Sequence, residues 1–302
     1  MKNFTNDQIK QIEKFINGVI EKYDNSLNIN DIISSNVSKD IIKNVVNDVV
    51  GFTGLSDDTL EFDSIVYLHE NKVAHATTAL ADFYLNDNPK KAVKLYKQAA
   101  EQGDRDAQYA LGVLYENGSN VEKNTKEAAK WYKQAAEQGD ADAQYALAFL
   151  YHDGDGVKQN FEEAVKWFRC AAEQENLDAQ CVLGLLYCLG KGVKEDPEEG
   201  IKWIKMAANE GDTGAQCMLG RIYYNSDFAK PNLEEAVKWF KFSAEQGFAE
   251  AQWALGELYR DGEGVEQSYE EAAKLFKLSA KQGNLNAQKS LNELYEKGFI
   301  KD

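Results

Sequence analysis

Three cysteines and one histidine are the residues of this chain whose types and spacing could bind a metal ion. Cys181 and Cys188 lie seven residues apart, Cys217 follows Cys181 by 36 residues, and His152 precedes Cys188 by 36. Thiolates and imidazoles are ligands that zinc prefers. Residues on neighbouring packed helices, however, lie about 9–10 Å apart, too far for joint ligation without distortion. Small, semi-apolar residues of a binding surface are therefore the preferred interpretation, and a metal site is the alternative.

Other candidate chemistry is weaker. The three histidines are His69, His75 and His152, and no nucleophile, base and carboxylate are expected to converge on them. The glycine-rich stretch at residues 154–157 lacks the Gly-Lys-Ser/Thr ending of a phosphate loop, so it predicts a turn. We expect no enzyme activity and no cofactor, and a hydrolytic or metal-binding enzyme remains the least favoured alternative.

Composition excludes several kinds of partner. The 302 residues carry a formal net charge of −16, which repels nucleic-acid phosphates and anionic lipid headgroups. No stretch approaches the roughly 18 apolar residues of a membrane span, so membrane insertion is not expected. Four cysteines are too few for a disulfide scaffold, and the first residues show no apolar run of a signal peptide. These features predict a cytoplasmic protein.

The elements that position the candidate residues follow from an internal repeat. The pair Ala-Gln recurs every 36 residues, at positions 107–108, 143–144, 179–180, 215–216, 251–252 and 287–288. A second set keeps the same interval: Ala92, Ala128, Ala164, Gly200, Ala236 and Ala272. A weaker, earlier copy runs from Ala76 to Leu85. A fixed interval of this length indicates stacked structural units.

Each unit contains two amphipathic helices, here called helix A and helix B. At about 100° per residue the apolar positions fall on one face of each. In one unit these are Ala143, Leu147, Leu150 and Tyr151 in helix A, and Ala164, Trp167, Phe168, Ala171 and Ala172 in helix B. Glycines follow the ends of most helices, where a positive φ is needed. Such short helix pairs bury their apolar faces by stacking on one another.

The unit "AQYALGVLYENG" followed by "EAAKWYKQAAEQGD" resembles the Sel1-like repeat, a relative of the tetratricopeptide repeat. The resemblance covers roughly residues 75–300. It implies an all-α fold, a right-handed superhelical α/α solenoid of 36-residue helix pairs whose A helices line a concave surface. It also implies a protein-binding adaptor. Two departures are Glu175, which replaces a helix B glycine so that its turn is expected to differ, and residues 226–231, which lack the glycine-rich turn.

Two domains are predicted. Residues 71–302 form the solenoid, with six helix pairs and a capping helix from Ala287 to Lys297. Residues 1–70 form a small helical domain or a cap. Thr5 and Gln8 resemble a capping box, a second helix ends at Gly51, and a third runs from Ser56 to about Glu70.

The candidate binding residues are the helix A positions that differ most between copies. They are the third, seventh and tenth positions counted from the alanine of Ala-Gln, and they point away from the core face. A merely solvated stripe would be lysine, glutamate and serine, whereas aromatic residues and arginine are typical of interfaces. The predicted partner-binding residues are Tyr109, Tyr145, Phe149, His152, Cys181, Leu185, Cys188, Arg221, Tyr224, Trp253, Glu257 and Arg260.

The predicted function is a protein-interaction scaffold that binds a protein or peptide segment along this stripe. The acidic chain favours a partner with a basic rim. A dedicated inhibitor or immunity-type protein that neutralises one enzyme or toxin is the alternative. It also remains open whether neighbouring A helices, or the N-terminal part of the chain, cover the stripe.

Overall fold

The computed structural model describes residues 4–24, 26–34, 38–50, 60–225 and 227–301. All regular elements within these residues are helices, which confirms the predicted all-α class. The chain divides into two compact units, Met1–Gln159 and Asn160–Asp302.

The first unit contains nine described helices. They are α1 (Asn6–Ile20), α2 (Ile29–Ile33), α3 (Lys39–Val50), α4 (Leu60–Glu70), α5 (Ala74–Tyr84), α6 (Pro89–Glu101), α7 (Arg105–Asn117), α8 (Thr125–Glu137) and α9 (Ala141–Asp153). From α5 onward, odd numbers are A helices and even numbers are B helices.

The second unit continues the same alternation. Its described helices are α10 (Phe161–Glu173), α11 (Leu177–Leu189), α12 (Pro197–Asn209), α13 (Thr213–Tyr224), α14 (Leu233–Glu245), α15 (Ala249–Asp261), α16 (Tyr269–Lys281) and α17 (Leu285–Glu296). Across the described residues the predicted six helix pairs and final unpaired A helix are all present.

The N-terminal helices begin where the capping chemistry predicts. Thr5 and Gln8 form the expected capping box at the start of α1. The sequence prediction missed the short helix α2, which a second capping box of Asn28 and Asp31 begins. The predicted end at Gly51 and the predicted start at Ser56 lie outside the described residues.

These helices share one hydrophobic core with the first repeats. Buried residues run without a break from Ile12 in α1, through Val46 and Ile65, to Leu111 in α7. Lys43 of α3 also pairs with Asp106 of α7 at 2.6 Å. The packing favours a cap that covers the first helix pair. A domain boundary near residue 70 stays a prediction.

Close approach of paired helices explains the small residue in the middle of helix A. A Cβ added at Gly112 would lie 2.4 Å from the ring of Tyr132, which belongs to the paired helix B. Tyr132 is fully buried, so its ring has no room to move away. The larger aromatic residue of one helix therefore occupies the space that glycine leaves in the other.

The repeated Ala-Gln pair has a structural explanation as well. In the first five pairs the alanine is fully buried, and the buried glutamine donates from Nε2 to a carbonyl in the last turn of the preceding helix B. That turn has no intrahelical donor for its carbonyls. The five bonds of 3.0–3.3 Å join Gln108 to Ala100, Gln144 to Ala136, Gln180 to Ala172, Gln216 to Ala208 and Gln252 to Ala244. In the sixth pair Gln288 is exposed and donates to Asn292 instead.

The two predicted departures have different outcomes. Glu175 was expected to change its turn, and this expectation is wrong. Glu175 takes a φ of 64° and keeps the hydrogen bonds of the turn, so the residue adopts the left-handed backbone that glycine adopts elsewhere. The second departure is real: α13 ends at Tyr224, its cap Asn225 is extended, and Phe228 packs against the core beside α13.

Candidate protein-binding surface

In the first unit, the predicted stripe forms an aromatic patch on α7 and α9. Tyr109, Tyr145, Phe149 and His152 are all half-buried, so each keeps part of its ring accessible. The rings of Tyr145 and Phe149 meet edge to face at 4.9 Å, and Phe149 and His152 do so at 6.4 Å. Edge contacts of this kind hold aromatic side chains in defined positions. We call these four residues the aromatic patch.

Carboxylates lie beside the aromatic patch, at the N-terminal ends of the same helices. Asp104 caps α7 and Asp140 caps α9, while Asp142 lies exposed in the first turn of α9. Burial raises the pKa of the Tyr109 hydroxyl, and the charges of Asp142 and Asp140 raise it further. His75 lies 3.1 Å from Asp104 and Arg105 lies 3.5 Å from Asp140, so two of these three carboxylates already have a basic side chain of the same chain beside them.

In the second unit, the stripe is less uniform. Cys181 and Leu185 of α11 are half-buried, and Arg221 and Tyr224 of α13 are exposed. The Tyr224 hydroxyl is hydrogen-bonded to Glu263, which raises its pKa.

Cys188 was predicted to bind a partner, but in the structure it is buried. Its side chain is 1% exposed and packs against Gly200, where a Cβ would lie 2.6 Å from Cys188 Sγ and 2.5 Å from the Gly184 carbonyl. Gly200 stands where the other B helices carry alanine, so α11 and α12 approach closely and enclose the thiol. In the sequence, glycine in place of alanine at residue 200 marks this close approach, but it does not by itself show that the Cys188 thiol is enclosed.

Trp253, Glu257 and Arg260 belong to a network with α17. Trp253 Nε1 donates to Ser290 Oγ at 3.3 Å, and the Ser290 hydroxyl donates to Glu257 Oε1 at 2.9 Å. Arg260 pairs with Glu257 at 2.8 Å and with Asp261 at 2.6 Å. The indole also packs against the buried cluster of α16 and α17. At this end, a neighbouring A helix partly covers the stripe.

The thiols are not arranged for metal binding. In the described part of the chain, no group of three or more His, Cys, Asp or Glu side chains lies close enough to hold an ion. Burial raises the pKa of Cys181 to about 12 and those of Cys188 and Cys217 to about 11, which disfavours the thiolate that a metal requires.

No helix among the described residues combines the length and the apolar character that crossing a bilayer requires.

Stacked helix pairs with buried alanines and a variable A-helix stripe define the chain as an α/α solenoid repeat protein. The family model of the Sel1 repeat matches residues 74–104, 105–140, 141–176, 177–212, 213–248 and 249–284. The chain therefore belongs to the Sel1 repeat family, and the first matched unit includes the weak early copy.

Solved structures agree with this assignment. The protective antigen c5321 of uropathogenic Escherichia coli, described as an SLR fold, is 35% identical with a TM-score of 0.75, over 79% of this chain and 52% of that one. This chain thus spans about half the length of c5321. A Sel1 repeat protein from Oxalobacter formigenes is 34% identical with a TM-score of 0.64, over 74% and 89% of the two chains. A search of curated proteins found no match.

Proposed function

We propose that the chain is a protein-interaction scaffold that binds a partner segment on the variable face of its A helices. The aromatic patch of the first unit carries the proposal. Tyr145 and Phe149 hold each other edge to face, and each is only half-buried. A repeat scaffold does not require aromatic residues at positions that vary between copies, whereas interface hot spots are rich in them.

The partner segment has apolar or aromatic anchors and a cationic rim. Its anchors pack on Tyr145 and Phe149, and its cations lie against the carboxylates at the N-terminal ends of α7 and α9. In the second unit, Leu185, Arg221 and Tyr224 offer further contacts, with Cys181 among them. At the C-terminal end of the stripe, the partner contacts only those parts of Trp253, Glu257 and Arg260 that α17 does not cover.

We also propose that the scaffold works in the cytoplasm. Its four cysteines are all free thiols, which suits a reducing compartment. Cell fractionation with a periplasmic and a cytoplasmic marker tests this assignment, and recovery with the periplasmic marker contradicts it.

The experiment is a paired affinity capture from native lysate with mass spectrometry. One bait is the wild type, and the other carries Tyr145→Ala, Phe149→Ala, Leu185→Ala and Tyr224→Ala. A control bait carries Lys94→Ala, Lys126→Ala, Lys130→Ala and Lys133→Ala, which removes exposed side chains of the B helices α6 and α8 instead. Circular dichroism checks that all three baits stay folded.

We expect a partner that the wild type and the control bait capture and the stripe variant loses. A partner that all three baits retain equally contradicts binding on the A-helix face. Assaying the captured partner with and without the chain then separates a scaffold, which leaves its activity intact, from an inhibitor, which abolishes it.

A further inference from the structure

A lysine of the N-terminal helices binds the A-helix face of the first unit. Lys43 of α3 pairs with Asp106, at the start of α7, at 2.6 Å. One turn further along α3, Asn47 Oδ1 lies 3.2 Å from Nε2 of His75 in α5. His75 and Asp106 each stand directly before the repeated alanine of their helix, and at about 100° per residue this position adjoins the variable stripe. The chain therefore already places a cation of one helix at the edge of its own A-helix face.

The next repeat presents an equivalent carboxylate. Asp142 follows Asp106 by 36 residues and occupies the same place in the first turn of α9. Asp142 is exposed, whereas the Asp106 side chain, beside Lys43, is 30% exposed. Stacked repeats present equivalent positions side by side along one surface. The carboxylate that α3 binds is therefore offered again one repeat further along.

Two tyrosine rings flank Asp142. Tyr145 follows Asp142 by three residues, which makes the two side chains neighbours on the surface of α9. Burial raises the pKa of the Tyr109 hydroxyl, and Asp142 is the charge that raises it most, which locates the Asp142 carboxylate near that phenol. Both rings are half-buried, so part of each is accessible. The equivalent positions around Asp106 are Thr78 and Tyr109, so Asp106 has one ring beside it where Asp142 has two.

Negative charge predominates around the Tyr109 hydroxyl. After burial, the charges of Asp142, Asp140 and Glu116 raise its pKa, in that order. Arg105 lies 3.5 Å from Asp140 and offsets that charge. Glu116 accepts a hydrogen bond of 2.6 Å from a buried tyrosine hydroxyl of α8, which leaves its negative charge in place. Offsetting one of three negative charges leaves a local excess, which favours a cationic ligand.

We propose that Asp142, Tyr109 and Tyr145 bind one arginine side chain of the partner segment. The inference rests on the proposed function and specifies how that surface recognises its ligand. A guanidinium is planar, so it can pair with the carboxylate through two N–H groups and lie against the faces of the phenol rings. Attraction between a cation and an aromatic face adds to the ion pair. A lysine ammonium is a point charge without this planar surface, so arginine is the preferred residue.

The helix α3 also indicates what kind of segment carries the arginine. It buries Val46 and Val49 in the shared core while Lys43 reaches Asp106. An amphipathic helix with an arginine one turn from its apolar residues repeats this arrangement on α7 and α9, with its apolar residues packed on Phe149. The expected partner is therefore a protein that presents a basic amphipathic helix.

Titration of the full chain with N-acetyl-arginine methylamide, followed by NMR of the backbone amides, tests the site directly. N-acetyl-citrulline methylamide is the control probe, because it has nearly the same shape without the charge. With the arginine probe we expect saturable shifts around residues 109, 142 and 145 and a roughly millimolar dissociation constant. With the citrulline probe we expect no saturation.

Matched variants separate the role of the carboxylate from that of net charge. Asp142→Asn keeps the shape of the side chain and is expected to weaken binding of the arginine probe by about tenfold, because the charge-assisted pair is lost. Tyr145→Ala removes one ring and is expected to weaken it by about threefold. Glu137→Gln removes an exposed carboxylate of α8 instead and is expected to bind like the wild type. Circular dichroism checks that the variants stay folded.

Equal shifts with both probes overturn the arginine site, as does binding of the arginine probe that Asp142→Asn leaves unchanged. Affinity capture with an added Asp142→Asn bait separates this site from the broader proposal. A partner that the stripe variant and the Asp142→Asn bait both lose supports both proposals. A partner that the stripe variant loses and the Asp142→Asn bait retains in full supports the scaffold and overturns the arginine site. A partner that both baits retain overturns both.

Discussion

Glu210 occupies the position at which other repeats carry the glutamine that donates to the buried helix A glutamine, here Gln180. In three other repeats, the Oε1 of the buried helix A glutamine accepts a hydrogen bond from the Nε2 of a glutamine at the end of the following helix B. The distances are 2.7 Å from Gln138 to Gln108, 2.8 Å from Gln246 to Gln216 and 2.9 Å from Gln282 to Gln252. The carboxylate of Glu210 has no N–H group to donate in this way. Accordingly, Gln180 Oε1 is buried without a hydrogen-bond partner in the part of the chain that the structure describes.

Glu210→Gln is expected to stabilise the protein by about 1 kcal/mol, because it supplies the missing donor to a buried acceptor. Chemical denaturation measures the free energy of unfolding. The matched control is Gln246→Glu, which removes the bond to Gln216 and is expected to destabilise by a similar amount. Equal stability of wild type and Glu210→Gln would show that water already satisfies the Gln180 oxygen.

Glu175→Gly is expected to stabilise the protein by up to about 1 kcal/mol. Glu175 has a φ of 64°, whereas the glycines of the equivalent turns have φ between 86° and 96°. A side chain strains this left-handed backbone, and glycine relieves the strain at some entropic cost in the unfolded chain. Gly211→Glu is the reciprocal control and is expected to lower the midpoint of thermal unfolding. A destabilised Glu175→Gly variant would show that the glutamate side chain itself contributes.

The sequence predicted the helix pairs well because a strict 36-residue interval compares each position with several copies of itself. That comparison identified the buried alanines, the glycine turns and the variable stripe. It could not show that Cys188 is enclosed or that Ser290 fixes Trp253, since both depend on contacts between helices. It also left α2 unpredicted, because a helix of five residues has no periodicity to recognise.

Gly200→Ala is expected to destabilise the protein by about 1–3 kcal/mol. The added Cβ would lie 2.5 Å from the Gly184 carbonyl oxygen, which belongs to backbone and cannot move aside. Gly214→Ala is the control, because its Cβ would meet only a side-chain oxygen of Asp212 at 3.3 Å. That control is expected to stabilise through better helix propensity. Unfolding of both variants in urea provides the comparison, and a neutral Gly200→Ala would mean that α11 and α12 separate easily.

The four cysteines are expected to differ sharply in reactivity. Cys170 is exposed, whereas burial raises the pKa of Cys188 and Cys217 to about 11 and excludes reagents from them. Raising a thiol pKa by two units lowers its thiolate fraction near neutral pH by roughly a hundredfold. Iodoacetamide labelling followed by peptide mass spectrometry is expected to modify Cys170 first. Complete labelling in guanidinium chloride is the control, and native labelling of Cys217 as fast as Cys170 contradicts the packing described.

Trp253→Ala is expected to lower stability by about 2–3 kcal/mol, because the indole packs on the core of α16 and α17 and donates to Ser290. Ser290→Ala removes that acceptor and the hydroxyl that donates to Glu257, so a smaller loss of about 1 kcal/mol is expected. Arg221→Ala, an exposed stripe residue, is the control and is expected to change stability by less than about 0.5 kcal/mol. Thermal unfolding measures all three. If Trp253→Ala is as stable as Arg221→Ala, the indole has no structural role. It would then count, with Tyr145 and Phe149, as a residue available to a partner.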